Sequence, residues 1–244
     1  MEQDTKIKIL VVEDDISLKD SLVRLLQNRD FLVQAVENKH QAVEQIKSGQ
    51  QYDIYLLDVW LPDGNGFDIC HEIRKISQAI VMFLTSCDDE ESITKGLDIG
   101  GDDYITKPFR PLEMIARVKS QLRRYQKYNP ARSDTGETSS AASEDNLVCG
   151  SLTMNIKAHT CFLGETPLGL TPTEFSILRI LLENTGNVVS SEDLFHKIWQ
   201  DEYYSKSNNT ITVHIRHLRE KLGDSMDKPR FIKTIWGVGY KIES

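Results

Sequence analysis

The sequence predicts two domains: an α/β domain built on a five-stranded parallel sheet with five helices, then a smaller α+β domain of helices closed by a hairpin. Three observations carry this prediction. Before about residue 128, short apolar runs alternate with segments of helical periodicity, the pattern of a parallel sheet with helices on both faces. Residues 129–146, NPARSDTGETSSAASEDN, have linker composition, too poor in apolar surface to offset the entropy of ordering it. After them come helical stripes and an alternating run punctuated by glycine. The predicted divisions are 1–128, 129–146 and 147–244, and a chain of 244 residues suits two domains of ordinary size.

In the first domain the apolar run 7–12 ends in Glu13, Asp14 and Asp15. Leu18, Leu22, Leu25 and Leu26 then follow helical spacing, with Asp15 placed to start that helix at its positive dipole end. A second helix carries Ala42, Val43 and Ile46. Run 54–57 ends in Asp58, run 79–84 in Thr85 and run 104–106 in Lys107. A last helix from 111 to about 125 tolerates Pro111 in its first turn and aligns Ile115, Val118 and Leu122. If these runs are parallel strands of one sheet, their carboxyl ends share the edge where open α/β sheets bind ligands. That edge collects three carboxylates, a hydroxyl and an ammonium, a set suited to a divalent metal and a phosphoryl group.

Composition narrows the class. With 39% hydrophobic and 27% charged residues the chain reads as globular, and no apolar stretch approaches the roughly 20 residues of a membrane span. The polar start lacks the apolar core of a signal peptide, so a cytoplasmic location without a membrane partner is expected. The four cysteines, Cys70, Cys87, Cys149 and Cys161, lack CxxC spacing and are expected as reduced thiols. Residues 147–244 hold 11 basic and 11 acidic groups, so any nucleic-acid binding there rests on local clusters.

The second domain opens with strand-like pieces between 147 and 168. A helix follows with Thr171 as N-cap, Pro172 at its first position and Glu174 closing a capping box, and Gly186 ends it. Another helix runs from Ser190 to about Trp199. A third spans 207–222 before Gly223, with Ile211, Ile215, Leu218 and Leu222 as its buried stripe. Its outer residues are expected to be Asn209, Thr210, Thr212, Val213, Arg216, His217 and Arg219: polar donors, an apolar group for a thymine methyl, and cations for phosphate or guanine. FIKTIWGVGYKIE alternates around Gly237 and Gly239 as a hairpin, which makes the whole a winged helix-turn-helix.

ILVVEDD, LLDVWLPDGNGFD, FLTS and GGDDYITKPF resemble the receiver domain of bacterial two-component response regulators, a flavodoxin-like fold, over about residues 6–127. TPTEFSILRILLEN, NNTITVHIRHLREKL and IKTIWGVGYKI resemble the effector domain of OmpR/PhoB-type regulators, in particular VanR-type regulators of inducible vancomycin resistance. The resemblance implies that a sensor histidine kinase phosphorylates Asp58, a carboxylate able to form an acyl phosphate. It implies Mg²⁺ (or Mn²⁺) on Asp14, Asp58 and the backbone carbonyl of Trp60, with Glu13 acting through water. Lys107 and Thr85 would bind the phosphoryl group, Tyr104 would turn inward, and the Lys107–Pro108 bond is one often cis in the family. Read without the family, Tyr104 is a half-buried strand aromatic with its hydroxyl in water, and the two placements can belong to different states.

A phosphorylation-dependent homodimer would form through Asp98, Asp102, Asp103, Glu113, Arg117, Lys119, Arg123 and Arg124, pairing Asp103 with Arg117 and Asp98 with Lys119. A basic partner expected for Glu113 is replaced by Ile93. On promoter DNA with tandem half-sites, Val213 and His217 would face bases, while His214, Arg216, Arg219 and Tyr240 would approach phosphates, with Thr234 also in the interface. The family often has arginine at Asn209, His217 and Trp236, and Trp236 is read either as a wing-tip packing residue, the favoured reading, or as an indole reaching the DNA backbone. The loop 200–206, with Tyr203 and Tyr204, is a candidate RNA polymerase contact. Trp60 and Cys87, two residues past the acceptor and past Thr85, orient a hydrolytic water poorly, so slow self-dephosphorylation is expected. Two rival readings are a phosphatase-type enzyme with an aspartyl nucleophile, which usually needs a second acid where Trp60 stands, and a constitutive DNA-binding protein whose receiver only dimerises.

Overall fold

The structure, a computed structural model, describes residues 6–86, 96–127, 146–199, 207–225 and 229–243, without the side chains of 124–127 and 207–209. Cys87, Ile93, the loop 200–206, nearly all of the expected linker and the side chains of Arg124 and Asn209 therefore lie outside the described residues. Packing divides the chain into two compact units, Met1–Val118 and Lys119–Ser244.

The first unit is a five-stranded parallel sheet made of β1 (Lys8–Val12), β2 (Leu32–Val36), β3 (Ile54–Asp58), β6 (Ile80–Thr85) and β7 (Asp103–Thr106), in the order β2-β1-β3-β6-β7. Between β3 and β6 in sequence, β4 (Trp60–Leu61) and β5 (Gly64–Asn65) form a separate small hairpin. Ile9 to Val12 are all fully buried although alternate residues point to opposite faces, so both faces of the sheet are covered. The covering helices include α1 (Ile16–Gln27), α2 (Lys39–Lys47), α3 (Gly66–Ile76) and α4 (Pro111–Lys127), and Gly96–Asp98 are helical as well.

Each of the first three helices starts where a side chain satisfies an orphan amide: Asp15 accepts from Leu18 N, Asn38 from Gln41 N and Asn65 from Asp68 N. Met114, Ile115, Val118 and Leu122 form the buried stripe of α4. Two expected strands run one residue further than their apolar runs, so Asp58 and Thr85 are the last residues of β3 and β6 rather than the first residues after them.

The second unit begins with an antiparallel sheet of β8 (Asn146–Cys149), β9 (Leu152–Asn155), β10 (Thr160–Leu163) and β11 (Thr166–Pro167). Helices α5 (Pro172–Glu183), α6 (Ser191–Trp199) and α7 (Ser207–Leu222) follow. The three-stranded sheet of β12 (Val189–Ser190), β13 (Ile232–Ile235) and β14 (Gly239–Ile242), ordered β12-β14-β13, completes a winged helix. The capping box forms as expected: Glu174 N donates to Thr171 Oγ1 at 3.4 Å and Thr171 N to Glu174 Oε2 at 2.8 Å. Ile211, Ile215, Leu218 and Leu222 enter one core with Phe175, Leu178, Leu194 and Ile232. Gly239 has to be glycine, because a Cβ there would stand 2.1 Å from the Val189 carbonyl oxygen.

Candidate functional site

Strand order positions the chemistry at one edge of the first sheet. β1 and β3 are parallel neighbours, so Glu13, just past β1, comes beside Asp58 at the end of β3. β6 and β7 lie next, with Thr85 in register with Thr106, and Lys107 N donates to the Thr85 carbonyl at 2.6 Å. The Lys107 ammonium then reaches back across the edge, 2.8 Å from Asp58 Oδ2 and 2.6 Å from Glu13 Oε2. The other Asp58 oxygen accepts from Trp60 N at 3.2 Å. Asp14 is exposed beside them, and one carboxylate oxygen from each of Glu13, Asp14 and Asp58 lies within 4.8 Å of the others.

That donor set fits a metal of the Mg²⁺ type, which takes hard oxygens from a few carboxylates and keeps waters on its open side. Burial, the largest influence on Glu13, pushes its carboxyl up to about 7; the charge of Asp58 acts in the same direction and Lys107 opposes both. For Lys107, burial pulls the ammonium down, but the hydrogen bonds to Asp58 and Glu13 outweigh it and hold the group above its ordinary value.

Thr85 is fully buried. Tyr104 is only 9% exposed, with its ring 6.1 Å from that of Phe83 and its hydroxyl buried, so the inward of its two expected placements is the one in this structure. The Lys107–Pro108 bond is cis. A residue missed from sequence is Gly66, where a Cβ would fall 2.2 Å from the Asp58 carbonyl oxygen while Gly66 N donates to Val59 O. The GNG of the PDGNGFD segment was the available signal.

The expected dimer face needs one correction. Asp102 is fully buried, pairs with Arg74 at 2.8 Å and accepts from Val81 N at 3.1 Å, so it cannot reach a partner from there. Asp103 and Glu113 both approach Arg117 within the chain, at 3.3 and 3.4 Å. Asp98, Lys119 and Arg123 are exposed, and so is Leu112, at 76%.

On the winged helix, Thr210 is half-buried and Thr212 exposed, while Arg216 lies 3.7 Å from Glu220. The expectation that Val213, His217 and Arg219 stand on an open outer face is corrected, since all three are buried, as is His214. The Arg219 guanidinium turns back to donate to the Ile232 carbonyl and to Thr234 Oγ1, both within 2.8 Å. His217 Nδ1 sits 3.7 Å from Glu174, whose other oxygen holds Lys221 at 2.6 Å. Tyr240 is buried too, its hydroxyl 3.3 Å from Thr212 Oγ1. Trp236 shows the opposite error: the expected packing residue is 89% exposed.

A buried acid cluster gripped by a lysine at the carboxyl edge of a five-stranded parallel sheet, joined in one chain to a winged helix, is the architecture of a response regulator that controls transcription. Comparison with known families agrees: residues 9–119 match the response regulator receiver domain, and residues 165–242 match the C-terminal domain of transcriptional regulatory proteins. Regulatory protein VanR of Enterococcus faecium is 52% identical over 236 residues, covering 97% of this chain and 98% of that protein. Regulatory protein VanRc of Enterococcus gallinarum is 44% identical over 236 residues with the same coverage. The crystal structure of the response regulator DrrB, a Thermotoga maritima OmpR/PhoB homolog, is similar with a TM-score of 0.51 and 32% identity, over 98% of this chain and 100% of that one. The chain belongs to the OmpR/PhoB-type response regulators, and so to a family of transcription factors rather than enzymes, which removes the phosphatase reading. A receiver domain implies a kinase partner and the C-terminal domain implies DNA binding. Among the described residues no helix is long and apolar enough to cross a membrane.

Proposed function

We propose that a sensor histidine kinase transfers a phosphoryl group to Asp58, that the phosphorylated receivers pair, and that the winged helices then occupy tandem half-sites on promoter DNA, in the cytoplasm. The observation that carries this reading is the meeting of Glu13, Asp14, Asp58 and Lys107 at one sheet edge. Asp14, Asp58 and the Trp60 carbonyl would hold Mg²⁺ or Mn²⁺, with Glu13 reaching it through water, and the ion would supply positive charge to the transferring oxygens. In the transfer, a carboxylate oxygen of Asp58 forms the new O–P bond as the N–P bond to the kinase histidine breaks, and the imidazole nitrogen keeps the electron pair.

Lys107 would exchange its contact with Asp58 for the new phosphoryl oxygens, and Thr85 would add a hydroxyl donor. Domains are assigned as 1–128, 129–146 and 147–244. Asp98, Asp103, Glu113, Arg117, Lys119 and Arg124 would contribute to the pairing face. Thr210, Thr212, Arg216 and Asn209 would contact DNA, with the 200–206 loop offered to RNA polymerase. The identity with VanR and VanRc supports genes of the vancomycin-resistance type as the regulated set. Footprinting the DNA upstream of its own gene, with and without a phosphoryl donor, tests the whole reading: protection that ignores the donor would instead favour a constitutive DNA-binding protein.

Two further outcomes are expected. Thr85→Ala accepts a phosphoryl group but dimerises about tenfold more weakly in response, the scale of one charge-assisted hydrogen bond; sedimentation of the phosphorylated variant checks this, and wild-type dimerisation would exclude the role. Trp60, 56% exposed at the rim, would shield the acyl phosphate, so self-dephosphorylation is slow. A phosphoryl half-life of seconds, in the absence of any partner, would contradict that.

A further inference from the structure

We propose that Asp63 is a positioning residue for the acceptor site: by seating the β4–β5 hairpin on the N-terminus of α2 it fixes where Trp60 stands beside Asp58, and so how firmly the acid cluster holds a divalent ion. The inference rests on the metal-assisted phosphorylation reading given above.

The hairpin needs an outside anchor. β4 and β5 share two residue pairs, Trp60 with Asn65 and Leu61 with Gly64, too short a ladder to keep its shape unaided. On the core side Val59 and Leu61 are buried, and Gly66 N donates to Val59 O at 3.0 Å. On the other side the tip, Pro62, Asp63 and Gly64, is exposed. Asp63 ties that tip to α2 with both of its oxygens: Oδ1 accepts from Lys39 N and Oδ2 from His40 N, each at 2.8 Å. Those are the first two orphan amides of the helix, and Asn38 serves the third, Gln41 N, at 2.9 Å. Desolvation pushes the Asp63 carboxyl up, but the two amides outweigh it and hold the group below its ordinary value.

Lys39 offers a rival tie. Its stem passes over Gly64, where a Cβ would stand 2.6 Å from Lys39 Cδ, and its ammonium reaches Asp68 on α3 at 2.6 Å. Water competes for that pair, since about half of the Asp68 side chain is exposed, and such pairs add little. The two backbone amides on Asp63 therefore carry the seat.

Both ends of this seat lead back to the acid cluster. α2 begins just past Val36, whose carbonyl accepts from Glu13 N at 3.1 Å. At the far end of the hairpin strand, Trp60 N donates to Asp58 Oδ1 at 3.2 Å. Contacts thus run in a closed chain from Glu13 through Val36, α2 and Asp63 to Trp60 and Asp58. Asp63 is a joint where that chain can be opened without altering any charged member of the cluster.

The test uses the full-length chain with Mn²⁺ alone, no phosphoryl donor, and free Mn²⁺ read by electron paramagnetic resonance; the ion held at the cluster is the part lost in Asp58→Asn. Amide hydrogen exchange of the same samples reports where the chain loosens. Asp63→Ala should bind Mn²⁺ about fivefold more weakly, the scale of a lost N-cap acceptor. Its amides at 59–66 should exchange faster, while those of β1 and β3 stay as in the wild type. Asp63→Asn keeps one acceptor oxygen and should fall between. Lys39→Met keeps the stem and the backbone amide and should bind Mn²⁺ as the wild type does.

Wild-type Mn²⁺ affinity in Asp63→Ala, with or without faster exchange at 59–66, overturns the proposal and leaves Asp63 a helix cap. If β1 and β3 also exchange faster, the alanine variant is unfolding and Asp63→Asn decides against Lys39→Met: weaker binding in the asparagine variant alone supports the proposal, and equal affinities overturn it. A wild type that holds no Mn²⁺ sensitive to Asp58→Asn would remove the metal reading itself, and this inference with it.

Discussion

Asp58→Asn yields a protein that takes up no phosphoryl group from a kinase or a small-molecule donor and whose affinity for DNA no longer responds to that donor. Asparagine preserves shape, and its amide can still meet Trp60 N, so the fold should persist. What disappears is the nucleophilic oxygen and the charge that Lys107 now contacts at 2.8 Å. An amide does not form an acyl phosphate at neutral pH, so labelling should fall to background. The donor-induced gain in DNA affinity, on the order of tenfold or more for a coupling of 1–3 kcal/mol, should vanish while basal affinity remains. Gel-shift titrations with and without donor, alongside separation of phosphorylated from free chain, measure both quantities. Labelling of the variant at wild-type stoichiometry would move the acceptor to another carboxylate, with exposed Asp14 the next to examine.

Asp102→Ala should be the most damaging substitution outside the acid cluster, lowering the stability of the first unit by about 3–5 kcal/mol, the usual consequence of stranding a buried charge. Asp102 is fully buried, and its carboxylate faces both the Arg74 guanidinium and the Val81 amide. Arg74 would keep its bonds to the carbonyls of Gly100 and Ala79. Those satisfy its Nε and Nη1 donors but leave Nη2 without the carboxylate and the charge unanswered. Urea unfolding should show a lower midpoint, and the melting temperature should fall by roughly 10–20 °C. Adding Arg74→Met to Asp102→Ala should recover part of the loss, because the second change removes the stranded cation. A loss under 1 kcal/mol for Asp102→Ala would mean that the pair is not closed in solution.

Both substitutions show where sequence reasoning succeeds and where it stops. The acid cluster was legible because each of its members terminates an apolar run, and a parallel sheet converts four sequence positions into one edge. Asp15 and the Thr171–Glu174 box were legible because capping acts over three residues. Asp102 was misread as surface because its partner stands 28 residues away on α3, and local pattern does not encode that meeting. Arg219 and His217 were misplaced for a similar reason: their neighbours, Ile232 and Glu174, come from β13 and α5. For Trp236 packing was the favoured reading, yet the alternation of FIKTIWGVGYKIE breaks over the turn at 236–238, where the side chain stands 89% exposed. For Gly66 the GNG run marked a turn, but the reason for glycine, the Asp58 carbonyl that opposes it, is a tertiary contact that local pattern does not encode.

The salt bridge from Lys107 to both Glu13 and Asp58 has a consequence for the protein's life before any signal arrives. Two buried carboxylates side by side would make folding depend on the supply of cations around the nascent chain. With its own ammonium already in place, the receiver brings a counter-charge to the two carboxylates, which lessens that dependence. On the proposed mechanism, scarcity of a divalent ion would then lower phosphorylation while leaving the receiver folded.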